Sequence, residues 1–228
     1  MSSHSAAHAA AMDRLYRVQR HVYDISRKYY LIGRDRMIAE LDPPAGGKVL
    51  EIGCGTGRNL VAAAKRYPHA HFYGLDISRE MLRSAEAAVR RAGLGDRVTL
   101  IEGDATLFDP TAGLGLQTFD RVFASYSISM IPPWTHAIRH ALALTAPGGA
   151  FSVVEFGLCE GWPDWCRRAL YAWLAKFRVT PRETLIPVLE AAAAEVGATV
   201  KPVQLWRGYV TYVRVERPQM AGSAGFSK

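Results

Sequence analysis

Cysteine is scarce in this chain of 228 residues: Cys54, Cys159 and Cys166 have no zinc-ligand spacing and cannot all pair. A disulfide-built secreted domain is excluded, and a reduced, cytoplasmic setting is expected. No apolar run approaches the ~18 residues needed to cross a bilayer, and Met1 to His8 shows no charged stretch leading into an apolar one. The chain is therefore expected to be neither exported nor membrane-spanning. Nor is there room for a second large domain, since 228 residues at 49% hydrophobic content suit one α/β unit with a sizeable core. Residues 1–11 are expected to be disordered, and residues 217–228, rich in Gly, Ser and Ala, to form a loose tail.

What the chain does contain is a glycine loop directly after an apolar run, Val49-Leu-Glu-Ile-Gly-Cys-Gly-Thr-Gly-Arg-Asn59. Lys48 to Ile52 predicts a strand. Gly53, Gly55 and Gly57 predict a tight turn whose missing Cβ atoms permit positive φ and close approach to a ligand. A helix should begin near Arg58, with its body over Leu60 to Tyr67. Some 20 residues on, Phe72-Tyr-Gly-Leu-Asp76 is a second apolar strand, ending in a carboxylate able to accept from both ribose hydroxyls. A third strand, Val98 to Glu102, leads to Gly103-Asp104-Ala105. In an open parallel sheet, ligands sit outside such carboxyl ends. The alternate glycines after Glu51 depart from the G-x-G-x-x-G fingerprint, which disfavours NAD or FAD.

The sequence Glu51-x-Gly-x-Gly-x-Gly, then Asp76, then Gly103-Asp104 resembles the class I S-adenosylmethionine-dependent methyltransferases over roughly residues 45–216. The resemblance implies an α/β fold with a seven-stranded Rossmann-like sheet and S-adenosyl-L-methionine as cofactor. It further implies that Gly53, Cys54, Gly55 and Gly57 contact the methionine portion and that Asp76 holds the ribose. Ile77 and Met81 would then pack on the adenine, and Asp104 would accept from its amino group beside the Ala105 N–H. At helical spacing from Ile77, Met81 equally suits ordinary core.

Further along, the sequence predicts a helix from Arg79 to Ala92, a fourth strand from Phe119 to Ser125 and a helix from Trp134 to Leu144. Pro147-Gly148-Gly149 should turn the chain into a fifth strand, Ala150 to Phe156. Pro181 to Val196 reads as a helix with Pro in its first turn, and Ala198 to Leu205 with Gly208 to Glu216 as an antiparallel pair.

The net charge of +7 is unevenly placed. Residues 1–40 hold seven Lys and Arg against four Asp and Glu, residues 158–182 hold five against two, and residues 41–157 are neutral. The domain is thus a cofactor core (41–157), a basic N-terminal helical lid or membrane segment (12–40), a basic aromatic helical insert after the fifth strand (158–182), and a C-terminal helix and strand pair (183–216). In the insert, Trp162, Cys166, Ala169, Leu170, Trp173 and Phe177 fall on one helical face, with Arg167, Arg168 and Lys176 largely elsewhere. Such a face suits either a lid over the cofactor or an anionic membrane surface. Nucleic acid is not the expected partner, because nothing resembles an RNA-binding module.

Tyr23-Asp-x-x-Arg27-x-x-Tyr30-Leu-x-Gly-Arg34-Asp35 resembles the bacterial betaine-lipid N-methyltransferases (BtaB type). That resemblance implies successive methylation of the amine of diacylglyceryl-homoserine to the trimethylated betaine lipid, by a cytoplasmic enzyme held peripherally on the inner face of the membrane. Phosphatidylethanolamine N-methylation and quinone-ring C-methylation are the alternatives. Methyl transfer to an amine needs a neutral nitrogen, which an α-amino group of pKa about 8 supplies near neutrality. Positioning can contribute roughly 7–11 kcal/mol of the acceleration, and aromatic faces favour charge growing on nitrogen. Tyr23 and Arg34 are accordingly expected at the methionine end, Arg27 or Arg20 on the substrate carboxylate, and Tyr126 along the methyl-transfer site. For Arg27 the plainer role is an intrahelical pair with Asp24. His21 and His140 could shuttle a proton but equally suit surface or capping positions.

Overall fold

A computed structural model describes residues 31–176 and 179–219. Seven strands form one sheet: β1 Lys48–Ile52, β2 His71–Asp76, β3 Val98–Glu102, β4 Phe119–Ser125, β5 Thr145–Phe156, β6 Thr199–Leu205 and β7 Val210–Glu216. Their order is β3-β2-β1-β4-β5-β7-β6. The first five run parallel, while β7 pairs antiparallel with both β5 and β6. This is the seven-stranded Rossmann-like class I methyltransferase fold that the family resemblance implies.

The apolar runs become central strands because both sheet faces are covered. Successive side chains point to opposite faces, so Val49 and Phe123 join one core cluster while Leu50, Val122 and Ala124 join the other. Helix α1 (Arg34–Ala39), α2 (Arg58–Arg66) and α3 (Arg79–Arg91) turn apolar residues to the first cluster, α2 through Leu60, Ala63 and Ala64 at i, i+3 and i+4. The short α4 (Pro110–Leu114) precedes β4, and α5 (Trp134–Ala143) packs into the second cluster through Ile138 and Leu142. The insert helix α6 is Asp164–Ala175, and α7 is Leu185–Glu195. The Ser78 side chain caps α3 by accepting from the Met81 N–H at 3.3 Å.

Several expectations are corrected. Pro147-Gly148-Gly149 does not precede the fifth strand but lies within it: β5 begins at Thr145, and its register against β4 shifts between Phe119 and Arg121. Extra residues are absorbed at that irregularity instead of ending the strand. Helix α7 starts at Leu185, not Pro181, and the proline in its first turn is Pro187, where the missing N–H has no intrahelical partner to lose. Of the insert's proposed face, Cys166, Leu170 and Trp173 are half-buried, but Ala169 is exposed and Trp162 precedes the helix. Leu174 is the fully buried residue of α6. Phe177, and the N-terminal Arg20, His21, Tyr23 and Arg27, lie outside the described residues. Within the latter no helix is long and apolar enough to cross a membrane.

Candidate functional site

The carboxyl ends of β1 to β4 open onto one pocket, with Leu31 and Arg34 of the N-terminal segment closing its side. Its floor is the glycine loop. The Gly53 and Cys54 N–H groups donate to the Leu75 carbonyl at 2.8 and 3.0 Å, which ties the loop to β2. The Gly55 N–H donates to Asp76 Oδ2 at 2.8 Å, while Asp76 Oδ1 accepts from the Ser78 N–H at 2.9 Å. One carboxylate therefore orients the loop after β1 and the start of α3 together. The Asp76 carboxylate itself lines the pocket. A Cβ built on Gly55 would meet no atom within 4 Å, which leaves space for a ligand against the backbone.

Asp104 also lines the pocket, its Oδ1 held by the Thr106 N–H at 2.9 Å and the Thr106 hydroxyl at 2.7 Å. Ile77 and Ala105 also line the pocket. Met81 does not: it is buried and contributes nothing to the pocket wall, in keeping with its core alternative. Gly57 is likewise not on the wall. It precedes α2, and a Cβ there would meet the Ala85 Cβ at 3.0 Å, so it serves close helix packing.

Tyr126 lines the pocket past the end of β4 and is also buried. Its hydroxyl donates to the Ile32 carbonyl at 2.6 Å, and its ring meets Phe156 edge-on at 4.7 Å. Burial, reinforced by the Glu155 carboxyl, pushes this phenol above its ordinary pKa, so it presents a neutral aromatic surface and not a base. Arg34 is buried and donates through Nε to the Leu31 carbonyl at 2.9 Å. His140 stands off the pocket, with Nε2 2.7 Å from the Phe108 carbonyl.

The sequence did not single out Arg58, Asn59, Ser127, Met130 or Ile131, all of which line the pocket. Ser127 secures the junction of two strands by donating from its hydroxyl to the Ile52 carbonyl at 2.7 Å. The following turn, Ile128–Met130, is clamped from both sides: the Ser129 N–H donates to Glu155 Oε1 at 3.0 Å, and Arg182 donates to the Ser129 carbonyl at 2.8 Å.

Beneath the loop, Glu51 is 1% exposed. It accepts from Asn59 Nδ2 at 2.8 Å through one oxygen, and its other oxygen has no partner. Burial pushes its carboxyl up to about 8, and that of Glu155 to about 7. A raised carboxyl favours the protonated folded state, so this stability is complete below pH 4.5 and is lost as pH rises through about 8 for Glu51. Each such group costs about 1.4 kcal/mol per pH unit inside its window. Glu51→Gln, which keeps an acceptor for Asn59, is therefore expected to gain melting temperature relative to the unsubstituted protein as pH rises across that window. A melting difference that stays constant with pH would contradict a raised Glu51.

The methyltransferase domain family matches residues 49–149. The chain is 30% identical over 165 residues to the ubiquinone/menaquinone biosynthesis C-methyltransferase UbiE of Roseobacter denitrificans, covering 70% of this chain and 63% of that protein. It is 32% identical over 121 residues to methyltransferase GfsG of Streptomyces halstedii, covering 53% of this chain and 42% of that one. The chain thus spans less than two thirds of either relative. A solved S-adenosylmethionine-dependent methyltransferase from Aquifex aeolicus superposes with a TM-score of 0.62 at 18% identity, covering 83% of this chain and 92% of that one, a likeness of fold. S-adenosyl-L-methionine is the methyl donor that these likenesses imply, and the pocket lined by Gly53, Gly55, Asp76 and Asp104 is the place in this fold to receive it.

Proposed function

We propose that this chain, which belongs to the class I S-adenosylmethionine-dependent methyltransferases, methylates the amine of a lipid headgroup, with diacylglyceryl-homoserine carried to its trimethylated betaine as the reaction. The cofactor supplies a methyl group on a sulfonium. The residues supply position: Asp76 and the Gly53–Gly55 backbone fix the donor, Arg34 and Tyr23 flank its methionine end, Tyr126 borders the transfer site, and Arg27 or Arg20 holds the substrate carboxylate.

The observation that carries this reading is the placement of carboxylates. Among the described residues, those lining the pocket are Asp76 and Asp104, both on the cofactor side and both engaged by backbone N–H groups. Glu155 is buried behind Ser129 and off the wall. Deprotonating a ring carbon calls for a base at the acceptor, whereas a partly neutral amine does not. The Tyr126 face, backed by Phe156, suits a nitrogen gaining positive charge by about 0.5–2 kcal/mol. The headgroup assignment leans on the Tyr23 to Asp35 sequence.

The test offers the purified protein labelled cofactor with diacylglyceryl-homoserine, phosphatidylethanolamine or a demethylated quinone, each in detergent micelles. Mono-, di- and trimethyl products of the homoserine lipid are expected. Label on phosphatidylethanolamine alone would move the headgroup assignment, and label on the quinone alone, the chemistry borne by the name of the Roseobacter relative, would overturn N-methylation.

A further inference from the structure

A second cavity, of about 400 Å³, lies between the insert and the tip of the β6–β7 hairpin, bordered by Ile32, Trp162, Cys166, Trp206, Arg207 and Tyr209. Trp162 stacks on Tyr209 with centroids 5.6 Å apart and planes 14° from parallel. Tyr209 meets Phe156 at 5.9 Å, and Phe156 meets Tyr126 at 4.7 Å. An unbroken line of rings thus runs from this cavity to the donor pocket. Ile32 borders the cavity while its carbonyl accepts the Tyr126 hydroxyl, so one layer of side chains separates the two.

Two large indoles stand in solvent on this side: Trp206 is 66% exposed at the hairpin tip, and Trp165 is 69% exposed on α6. Neither position is explained by folding. Trp206 and Arg207 both adopt left-handed backbone, with φ of 54° and 55°. Asn or Gly takes such turn positions readily and bulky residues rarely do, so a strained outlier of this kind points toward function. Arg207 and Arg168 are exposed there, and residues 158–182 carry five basic residues against Glu160 and Asp164. Asp164 is already paired with Arg167 at 2.9 Å. Amphipathic indoles beside guanidinium groups match the chemistry of the boundary between anionic headgroups and acyl chains.

We infer that the hairpin tip and α6 seat the protein on an anionic bilayer, with Trp206 and Trp165 inserted at the interface and an acyl chain of the substrate received in the cavity between them. This rests on the lipid-acceptor reading above, and it names the surface through which a chain reaches the pocket.

The test is co-sedimentation of the full chain with vesicles of phosphatidylglycerol and phosphatidylcholine, or of phosphatidylcholine alone, at low and raised salt. Binding is expected to the anionic vesicles and to weaken as salt rises. Trp206→Gly should lower partitioning roughly tenfold, with no loss of melting temperature because glycine relieves the left-handed turn. Trp165→Ala should lower partitioning similarly and, because Trp165 is no part of the cavity wall, should retain micellar turnover. Absence of vesicle binding, or full binding by both variants, would overturn the surface. Methylation in micelles without vesicle binding would remove this inference alone, whereas vesicle binding without methylation of any lipid amine would remove the proposed function alone.

Discussion

Asp76→Ala is expected to lower affinity for S-adenosyl-L-methionine by at least about 100-fold, since two charge-assisted hydrogen bonds to a diol are worth roughly 1.5–3 kcal/mol each. The loss should exceed that of the ribose contacts alone. The same carboxylate accepts the Gly55 N–H at 2.8 Å and the Ser78 N–H at 2.9 Å, so its removal loosens the glycine loop at Gly55 on the pocket floor, leaving the Gly53 and Cys54 bonds to the Leu75 carbonyl to tie the loop to β2. Melting should fall as well, by about 1–3 kcal/mol, from the two amides left without an acceptor.

Asp76→Asn is the sharper variant. It preserves size and one oxygen, which can stay on the Ser78 N–H, but turns an amide donor toward the Gly55 N–H. Two donors then face each other, and the loop is repelled where it was held. Calorimetric titration should show both substitutions binding far more weakly than the parent protein, with kcat/KM falling in step. If Asp76→Asn binds the donor within roughly threefold of the parent, the ribose assignment fails.

Asp76 was legible because a buried parallel strand reads as an unbroken apolar run and the residue at its carboxyl end stands out against it. Apolar-rich runs also mark β1, the edge strand β3 and, despite Asp120 and Arg121, β4, and through them the pocket residues Gly53, Gly55, Asp104 and Tyr126. Legibility failed where local chemistry competes with tertiary packing. Pro147-Gly148-Gly149 has the composition of a turn, yet pairing with β4 on one side and β7 beyond it draws the chain into a longer strand. Gly57 shares its spacing with Gly53 and Gly55, but the helix it precedes carries it against Ala85 and away from the pocket. The clamp on Ser129 left no trace, because Glu155 and Arg182 lie 26 and 53 residues further along the chain and no periodicity links them.

The three loop glycines should separate cleanly when each is replaced by alanine, and Gly53 should show the largest combined effect. A Cβ on Gly53 would lie 2.5 Å from the Ser127 Cβ, on a residue whose φ is +70°. Ser127 cannot easily retreat: its hydroxyl is bonded to the Ile52 carbonyl, and the turn that follows is held by Glu155 and Arg182 through Ser129. The overlap must therefore be absorbed by the loop, with roughly 1–3 kcal/mol of overpacking added to about 1–2 kcal/mol for a left-handed alanine. Donor affinity should fall with it, because the loop backbone forms part of the pocket wall.

Gly55→Ala meets no protein atom within 4 Å, so it should cost only the backbone term in stability while its methyl group occupies ligand space and weakens binding. Gly57→Ala presses on Ala85 and should lose stability with little change in affinity. Thermal melts and donor titrations on the three variants test this separation, and identical behaviour at all three would contradict it. Ser127→Gly in the Gly53→Ala background removes the opposing Cβ and should recover part of the loss, a coupling expected only if these two carbons collide.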